Sequence, residues 1–185
     1  MDENNRGLEL KTRRTIYNHI LKNPGLHERE IARQLKMSLS TLDYHLFYLK
    51  KKELIIARPD RHYTQYYVAG NISTEDKKIL AALRQRSLRR IVIFLLLQNS
   101  SFHREICNHL ELAPSTTSFH LNKLVELGVI ERNQMGRETE YSINRSEHVS
   151  DLIIRYKKSF LDNAVNHFAD TWMELHPRHL KKSKK

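Results

Sequence analysis

Two stretches of the sequence carry hydroxyl, aromatic and basic side chains in the same order. They are STLDYHLFYLKKKELI at residues 40–55 and STTSFHLNKLVELGVI at residues 115–130. In the first stretch Leu42, Leu46 and Leu49 recur at helical spacing, so at about 100° per residue the other side chains fall on the opposite face. That face would offer hydroxyl groups, aromatic rings and ammonium groups to a partner. Its chemistry is that of noncovalent recognition.

Residue types that support catalysis or metal binding are sparse by comparison. No nucleophile–base arrangement, glycine-rich phosphate loop or paired-carboxylate cluster stands out, and five glycines leave few of the loops that active sites occupy. We therefore predict that the chain is not an enzyme and has no cofactor or metal site. His103 and Cys107 have a spacing that two ligands on one helix could use, so a metal- or redox-sensing repressor remains a weaker alternative.

The charge of the chain favours an anionic partner. The 185 residues have a formal net charge of +11 and a sequence pI near 9.8, and a basic surface captures polyanions. Nucleic acid is the commonest such partner, an anionic membrane is the second, and solubility alone is the plainest interpretation. One cysteine, no apolar signal core and a longest apolar run of only residues 91–97 predict a cytoplasmic protein without membrane association.

The sequence contains an internal repeat. Residues 14–68 align without a gap with residues 89–143, and most matched positions are apolar at helical spacing, as a shared core requires. Identical pairs include Arg14/Arg89, Glu30/Glu105, Ile31/Ile106, His45/His120, Leu49/Leu124 and Tyr66/Tyr141. We infer two copies of one small domain, which is too few for a solenoid.

Three helices are expected in each copy. In the first copy they cover residues 8–21, 28–36 and 40–52, and the sequence NPG ends the first of them. Ser40 and Asp43 match the Ser-x-x-acid signature of a helix N-terminus, which would begin the third helix.

A β-hairpin is expected after the third helix. Residues 54–68 are rich in β-branched and aromatic residues around Pro59 and Asp60, which indicates a strand, a turn and a strand. Three helices and a hairpin make a winged helix-turn-helix domain. The predicted fold class is therefore mostly α, of the α+β winged-helix type, with two tandem winged helix-turn-helix domains and a long C-terminal helix.

The sequence LHEREIARQLKMSLSTLDYHLFYLKKKELI resembles prokaryotic, especially archaeal, winged-helix transcription regulators of the ArsR/MarR-like superfamily. The matching pieces are REIA, the polar turn, STxxYHLxxL and the closing LI, and the second copy matches through REIC and STTSFHLNKLVELGVI. The resemblance covers residues 14–143. It implies a sequence-specific transcription regulator that binds double-stranded DNA, with the wing on the backbone or minor groove. The paired cysteines of the family's metal sensors are absent.

The third helix of the first copy is the predicted DNA reader, because an α-helix fits the major groove. Ser40, Tyr44 and Tyr48 are candidates for base-edge contacts, while Lys51, Arg58 and Arg61 would hold phosphates. The complete set of predicted DNA-binding residues is Ser40, Thr41, Tyr44, Phe47, Tyr48, Lys51, Arg58, Arg61 and His62. Alternatively, Phe47 or Tyr48 packs against the other domain. His45 and His120 are interpreted as partly buried structural histidines.

The two copies differ in charge. Residues 27–68 contain eight basic and five acidic residues, whereas residues 102–143 contain four basic and six acidic residues. Because acidic surfaces are repelled by DNA, the first copy is predicted to be the main reader. The second copy would touch DNA through Lys123, Arg132 and Arg137, or serve as a scaffold.

A long helix is expected after the second copy, at residues 147–175. Its apolar residues gather on one broad face, which we interpret as a homodimer interface, with packing inside the chain as the alternative. The predicted interface residues are Phe160, Leu161, Val165, Phe168 and Trp172. The apolar sequence IVIFLLL, at residues 91–97, should be buried all round, in part by its own domain and in part by the preceding segment, the C-terminal helix or another subunit.

The predicted organisation has five parts. Domain one spans residues 1–70, a connecting helix lies within 71–87, domain two spans 88–146, the dimerisation helix spans 147–176, and a basic tail covers 177–185. The second interpretation of function is a winged-helix protein–protein interaction module of the transcription machinery. The operator, the regulated genes and any effector cannot be read from the sequence.

Overall fold

The computed structural model describes residues 3–60 and 63–176, and side chains from residue 10 onward within those ranges. Arg61, His62 and the predicted basic tail at residues 177–185 lie outside the described residues. The chain divides into two compact units, Met1–Ala81 and Ala82–Lys185. Each unit contains one copy of the repeat.

The first unit is a winged helix-turn-helix domain. Its β-strands form an antiparallel sheet in the order β1-β3-β2, in which Leu26 pairs with Tyr66 and Ile55 pairs with Val68. Its elements are α1 (Glu3–Lys22), β1 (Leu26–His27), α2 (Glu28–Leu35), α3 (Leu39–Lys51), β2 (Ile55–Asp60), β3 (Tyr63–Val68) and α4 (Thr74–Arg84), the last of which runs past the division between the units.

The N-terminus of α3 differs from the sequence prediction by its cap. Ser38 is the N-cap residue, and its hydroxyl oxygen accepts a hydrogen bond from the backbone N–H of Thr41 at 3.1 Å. Ser40, which was predicted to cap the helix, lies inside its first turn instead. Ser38, Ser40 and Thr41 all have side chains suited to an N-cap, and Ser38, two positions before the predicted residue, is the one that caps the helix.

The hairpin also departs from the prediction. The expected turn at Pro59 and Asp60 is wrong, because β2 continues through both residues, with Pro59 opposite Thr64. Proline is tolerated there because β2 lies at the edge of the sheet, where a missing N–H leaves no neighbouring strand without a donor.

The core of the first unit lies between α1, α2, α3 and the sheet. Ile16, Ile20, Ile31, Leu42 and Leu46 are completely buried, and burial of each such side chain contributes roughly 1.5–3 kcal/mol. The leucine stripe of α3 therefore faces inward as predicted. His45 lies beside this stripe and is buried too, which agrees with its interpretation as a structural histidine.

The outer face of the sheet is covered by α4. The Tyr67 side chain is completely buried there, and its hydroxyl donates a hydrogen bond to Gln65 Oε1 at 3.0 Å and lies 3.2 Å from the Lys77 carbonyl oxygen. Gly25 has a φ of +78°, and a Cβ at that position would lie 3.1 Å from the Tyr67 hydroxyl. Ser73 caps α4, because its hydroxyl accepts a hydrogen bond from the Asp76 N–H.

The second unit repeats the same architecture. Its elements up to the wing are α5 (Arg86–Gln98), β4 (Ser100–Phe102), α6 (His103–Leu110), α7 (Pro114–Glu126), β5 (Ile130–Met135) and β6 (Glu138–Ile143). The sheet order β4-β6-β5 and the pairing of Ser101 with Tyr141 match the order β1-β3-β2 and the pairing of Leu26 with Tyr66 in the first unit. The structure thus confirms the internal repeat and the mostly α, winged-helix fold class with two tandem domains.

The predicted long C-terminal helix is wrong, because three helices take its place: α8 (Ser146–Arg155), α9 (Lys157–Phe160) and α10 (Asn163–Leu175). Leu161 adopts the left-handed conformation with a φ of 49°, and Asp162 then begins α10 by accepting a hydrogen bond from the Ala164 N–H at 3.0 Å. Aspartate favours this N-cap role over a helix interior, which explains the break.

The apolar face of the C-terminal helices packs inside the second unit. Val165 and Phe168 are completely buried, and Phe160 and Trp172 are nearly so, because α10 packs against α5 and α8. The structure therefore favours intramolecular packing for these four residues of the predicted dimer interface. Leu161, the fifth, is 72% exposed. The sequence IVIFLLL in α5 is covered by β4, β6, α6 and α7 of its own domain and by α10, although Leu97 stays exposed.

Two arginines hold the segment around the start of α10, Arg89 from α5 through Asp162 and Arg84 from α4 through Ser159. Arg89 is 6% exposed, and its Nε donates to Asp162 Oδ2 at 3.0 Å while its Nη1 donates to the Leu83 carbonyl oxygen at 2.6 Å. Arg84 donates to the Ser159 carbonyl oxygen at 2.8 Å. Both guanidinium groups also lie against the ring of Phe160, at 4.9 and 5.4 Å from its centroid.

Candidate nucleic-acid interface

The outward face of α3 is open to solvent. Tyr44 and Phe47 are 55% and 64% exposed, and Thr41 and Lys51 are exposed beside them. Ser40, Tyr44, Phe47 and Lys51 follow one another at helical spacing and form a stripe along α3. The helix therefore has the two faces that the sequence predicted, one in the core and one toward solvent.

The hydroxyl groups at the start of α3 form a local network. Ser38 Oγ is hydrogen-bonded with Ser40 Oγ at 3.0 Å and with Thr41 Oγ1 at 2.7 Å. The same oxygen accepts from the Thr41 N–H, so the cap uses much of the hydrogen-bonding capacity of these groups. Base-edge contacts by Ser40 and Thr41 remain a prediction, and they would compete with this network.

Tyr48 lies at the flank of the open face and is half-buried. The guanidinium of Arg13, on α1, stacks over the Tyr48 ring at 3.7 Å from its centroid, and Lys52 Nζ lies 6.0 Å from the same point. One face of the ring is thus covered by a residue of its own unit. A base contact by Tyr48 is still a prediction, but the ring is less accessible than those of Tyr44 and Phe47.

Basic residues frame the C-terminal end of α3. Lys50, Lys51 and Lys52 are exposed at the last turn, where positive charge also complements the helix dipole. On the wing, Arg58 is half-buried in β2, while Arg61 and His62 lie outside the described residues. The phosphate contacts assigned to these side chains remain predictions.

The pairing of β1 with β3 brings two aromatic rings together, one from each strand. The His27 ring stacks on the Tyr63 ring with centroids 5.0 Å apart and an interplanar angle of 24°. Tyr63 is 58% exposed at the start of β3, next to the wing tip. Neither residue was selected from the sequence, because they come together only when β1 pairs with β3.

Charge on α2 is largely compensated within the helix. Arg33 Nε donates to Glu30 Oε2 at 3.0 Å, and Gln34 Nε2 donates to Glu30 Oε1 at 2.7 Å. The hydrogen bond from Arg33 lowers the pKa of Glu30 to about 2, against the opposing effect of burial. Arg33 is therefore already paired and adds little to the positive surface.

The corresponding face of the second unit has different chemistry. Phe119 stands where the first unit has Tyr44 and is 56% exposed, and Asn122 stands where it has Phe47. Lys123 is half-buried, and its Nζ donates to Gln85 Oε1 at 3.2 Å. Arg132 and Arg137 are exposed on the wing. Phe119 was missed from the sequence, although its alignment with Tyr44 in the repeat would have found it.

Each recognition helix has a histidine on the side that faces its own core, where a structural role is expected. His120, the repeat counterpart of His45, is half-buried at the flank of α7. Burial lowers the pKa of His120, and the nearby charge of Lys123 lowers it further, so the neutral form is favoured at neutral pH. An uncharged imidazole suits a place beside the core.

The His103 and Cys107 pair lies inside the second helix-turn-helix. Cys107 Sγ is 3.5 Å from His103 Nδ1, and His103 Nε2 is 2.9 Å from Ser118 Oγ on α7. Cys107 is buried at the position that Ala32 occupies in the first unit, which agrees with a small core residue. Within the described ranges, no group of three or more His, Cys, Asp or Glu side chains is placed to hold a metal ion.

The fold and these surfaces define a protein with two tandem winged helix-turn-helix domains. Residues 10–80 match a family model described as an N-terminal HTH domain, HTH_HVO_0163_N, and residues 86–132 match the model of the bacterial regulatory protein arsR family. The chain therefore carries an N-terminal HTH domain followed by an HTH domain of the arsR family. In the described parts, no helix has the length and apolar character needed to span a membrane.

One relative by sequence is named for the same domain type. The chain is 37% identical over 136 residues to an uncharacterized HTH-type transcriptional regulator of Methanocaldococcus jannaschii. That match covers 73% of this chain and 34% of the relative, so the chain spans about a third of the relative's length.

Two solved structures align with less than half of the chain. The transcriptional repressor PagR of Bacillus anthracis has 29% identity and a TM-score of 0.39, covering 42% of this chain and 88% of that chain. A transcriptional regulator homologue of Pyrococcus horikoshii has 22% identity and a TM-score of 0.40, covering 46% of this chain and 93% of that chain.

Proposed function

We propose that the chain is a transcription regulator that binds double-stranded DNA sequence-specifically. In this proposal α3 enters the major groove, and the wing formed by β2 and β3 rests on the backbone or minor groove. The observation that carries it is the exposed face of α3, where Tyr44 and Phe47 stand open to solvent ahead of three lysines. Exposed aromatic groups beside positive charge suit a ligand with apolar base edges and anionic phosphates.

The first unit is proposed to be the main reader. The repeat region around α3 has three more basic than acidic residues, whereas the region around α7 has two more acidic than basic residues. Lys51 of α3 is replaced by Glu126 in α7, and Tyr48 is replaced by Lys123, which Gln85 engages. Repulsion between Glu126 and phosphate would weaken any contact made by the second unit.

A cytoplasmic homodimer is the finer part of the proposal. Two-fold symmetric regulators read two half-sites, which gives a dimer a clear use here. Four of the five residues predicted to form the interface are buried in their own unit, so a dimer would use other residues or Leu161, the fifth. Leu161 and Leu175 are the exposed large apolar residues of the C-terminal helices in the described part of the chain, and they are the first candidates.

The proposal is tested with the full chain and a random duplex library. Repeated selection should enrich related sequences, and fluorescence anisotropy should show a log affinity that falls steeply with log salt between about 50 and 200 mM. Tyr44→Ala should relax preference at particular bases, while Phe119→Ala, the matched change in the second unit, should leave that preference intact. Absence of duplex binding at low salt would overturn the proposal.

A second candidate function applies to the second unit. Phe119 is 56% exposed on a surface with a net negative charge, a combination that suits a protein partner better than DNA. The unit would then act as an interaction module in the transcription machinery while the first unit binds DNA. Phe119→Ala would weaken capture of such a partner without changing DNA affinity, whereas a loss of DNA affinity would favour a second DNA contact.

A further inference from the structure

The recognition face of α3 lacks the side chains that usually read purines. Guanine is read mainly by Arg or Lys, and adenine by Asn or Gln, through paired hydrogen bonds in the major groove. The sequence of α3, LSTLDYHLFYLKK, contains no Arg, Asn or Gln, and its lysines are confined to the last turn. The middle of the helix therefore has no side chain that usually reads a purine through paired hydrogen bonds.

The serine and threonine hydroxyl groups of α3 do not fill this gap. Ser40 and Thr41 are both hydrogen-bonded with Ser38 at the N-terminal cap, at 3.0 and 2.7 Å. Asp43 is exposed, and a carboxylate there can accept from cytosine N4 but is repelled by phosphates. The open centre of the face is left to Tyr44 and Phe47, the two most exposed aromatic side chains of α3.

Tyr44 and Phe47 are neighbours on the helix surface. Residues three positions apart lie on the same side, separated by about 4.5 Å along the axis at a rise of about 1.5 Å per residue. Successive base pairs are about 3.4 Å apart, so the two rings can face the same or adjacent base pairs. Together they form an apolar surface between a hydroxyl-rich end and a lysine-rich end.

We infer that Tyr44 and Phe47 read the C5-methyl groups of thymines, so that the preferred duplex has thymine at the one or two positions facing them. The thymine methyl is the one apolar group that bases present in the major groove. Covering this methyl removes apolar surface of both partners from water, which favours binding, whereas the polar edges of other bases give two aromatic rings little binding free energy. The inference rests on the proposed function, and it adds the chemical feature of DNA that this chain recognises.

The second unit provides an internal comparison. At the positions of Tyr44 and Phe47, α7 has Phe119 and Asn122, so it pairs one exposed ring with an amide that suits adenine. The substitution Phe47→Asn transfers this arrangement to α3. It should shift the preferred base at one position from thymine toward adenine.

The experiment uses the full chain and duplexes selected from a random library. Each thymine is replaced in turn by deoxyuridine, which keeps every hydrogen-bonding group and removes only the methyl. Affinity should fall about fourfold for each methyl that a ring covers, and stay unchanged at thymines outside that contact. The same replacement should have no effect on Phe47→Ala or Tyr44→Ala at the base that the missing ring covered.

Three results separate failure of the inference from failure of the proposed function. If no duplex is bound at low salt, the proposed function fails and the inference fails with it. If duplexes are bound but every uracil replacement is silent, the inference alone is overturned. If the uracil effect at one and the same thymine persists undiminished in both alanine variants, other residues read that methyl, which also overturns the inference. Circular dichroism checks that these exposed substitutions leave the fold intact.

Discussion

The guanidinium of Arg13 lies 3.7 Å from the centroid of the Tyr48 ring, so α1 holds the flank of α3 through a stacked pair. The repeat counterparts are Leu88 and Lys123, so the second unit has no such pair. Leu88 is completely buried in its own core, while Lys123 reaches Gln85. The two recognition helices are therefore supported by different chemistry despite having the same backbone.

Removing this stacked pair should loosen α3. Tyr48→Leu or Arg13→Ala should lower the local free energy of unfolding by about 0.5–2 kcal/mol, the range of cation–π interactions from exposed to desolvated sites. Hydrogen exchange of the α3 backbone amides in the full chain measures this. Tyr48→Phe keeps the ring and should protect those amides as well as the natural residue does. If Tyr48→Phe loosens α3 as much as Tyr48→Leu, stacking is not the cause.

The ion pair of Arg89 with Asp162 should contribute strongly to the folding stability of the second unit. Arg89→Ala leaves a partly buried carboxylate without its main donor, so the unfolding free energy should fall by up to the roughly 3–5 kcal/mol that breaking a fully buried pair costs. Trp172, the only tryptophan of the chain, is buried on α10 and reports unfolding of this unit by fluorescence in urea.

Arg14→Ala is the matched control for that experiment. Arg14 occupies the same repeat position in the first unit but is exposed, so its substitution should change the unfolding free energy by less than about 0.5 kcal/mol. Equal effects of the two substitutions would show that burial of Arg89 does not set its importance.

The stability of the second unit should depend on pH through Asp162. Burial acts to raise the pKa of this carboxyl, but hydrogen bonds from Arg89 and from the Ala164 N–H prevail and lower it below its ordinary value of 3.8. A depressed pKa contributes stability that is complete above the unfolded value and is lost as pH falls through the folded value. The difference in unfolding free energy between the natural chain and Asp162→Asn should therefore be constant above about pH 5 and shrink below about pH 4. A difference that grows on acidification would contradict this assignment.

Much of this architecture follows from the sequence because it depends on local periodicity. The alignment of residues 14–68 with 89–143 predicted two like domains, and the bounds of α2, α3, β2 and β3 recur at the aligned positions of the second unit. The leucine stripe and the open face of α3 also follow from helical spacing, since they need no knowledge of distant residues.

The features that sequence reasoning missed depend on distant contacts or on a choice between near-equal local options. Arg13 reaches Tyr48 only when α1 packs on α3, a contact between residues far apart along the chain. The break at Leu161 and Asp162 depends on Arg89, which binds Asp162 and holds the start of α10 on α5. Apolar spacing alone favoured one continuous helix, and that same spacing made a core face look like a dimer interface.

Substitutions in the C-terminal helices should separate assembly from folding. Phe168→Asp places a charge in a completely buried site and should unfold the second unit, so that the native Trp172 fluorescence is lost at lower urea concentrations. Leu161→Asp changes a side chain that is 72% exposed and should leave the unit folded while weakening the proposed homodimer. Sedimentation equilibrium of the full chain measures the second effect. If the Leu161→Asp variant is folded and its assembly has the same mass in solution as that of the natural chain, Leu161 is excluded from the interface. If the natural chain itself is a monomer, the homodimer is excluded.

Lys51 in the first repeat aligns with Glu126 in the second, and this difference should affect the electrostatic part of DNA binding. Both residues lie in the last turn of their recognition helices and are exposed. Lys51→Ala should weaken binding to all duplexes alike and flatten the plot of log affinity against log salt by about one unit, since one phosphate contact is lost. Glu126→Lys should have the opposite sign only if the second unit lies near phosphates, steepening the slope by about the same amount. Anisotropy titrations over a range of salt concentrations measure both slopes. A flattened slope for Lys51→Ala with no change for Glu126→Lys would support the first unit as the sole reader, whereas an unchanged slope for Lys51→Ala would remove Lys51 from the contact.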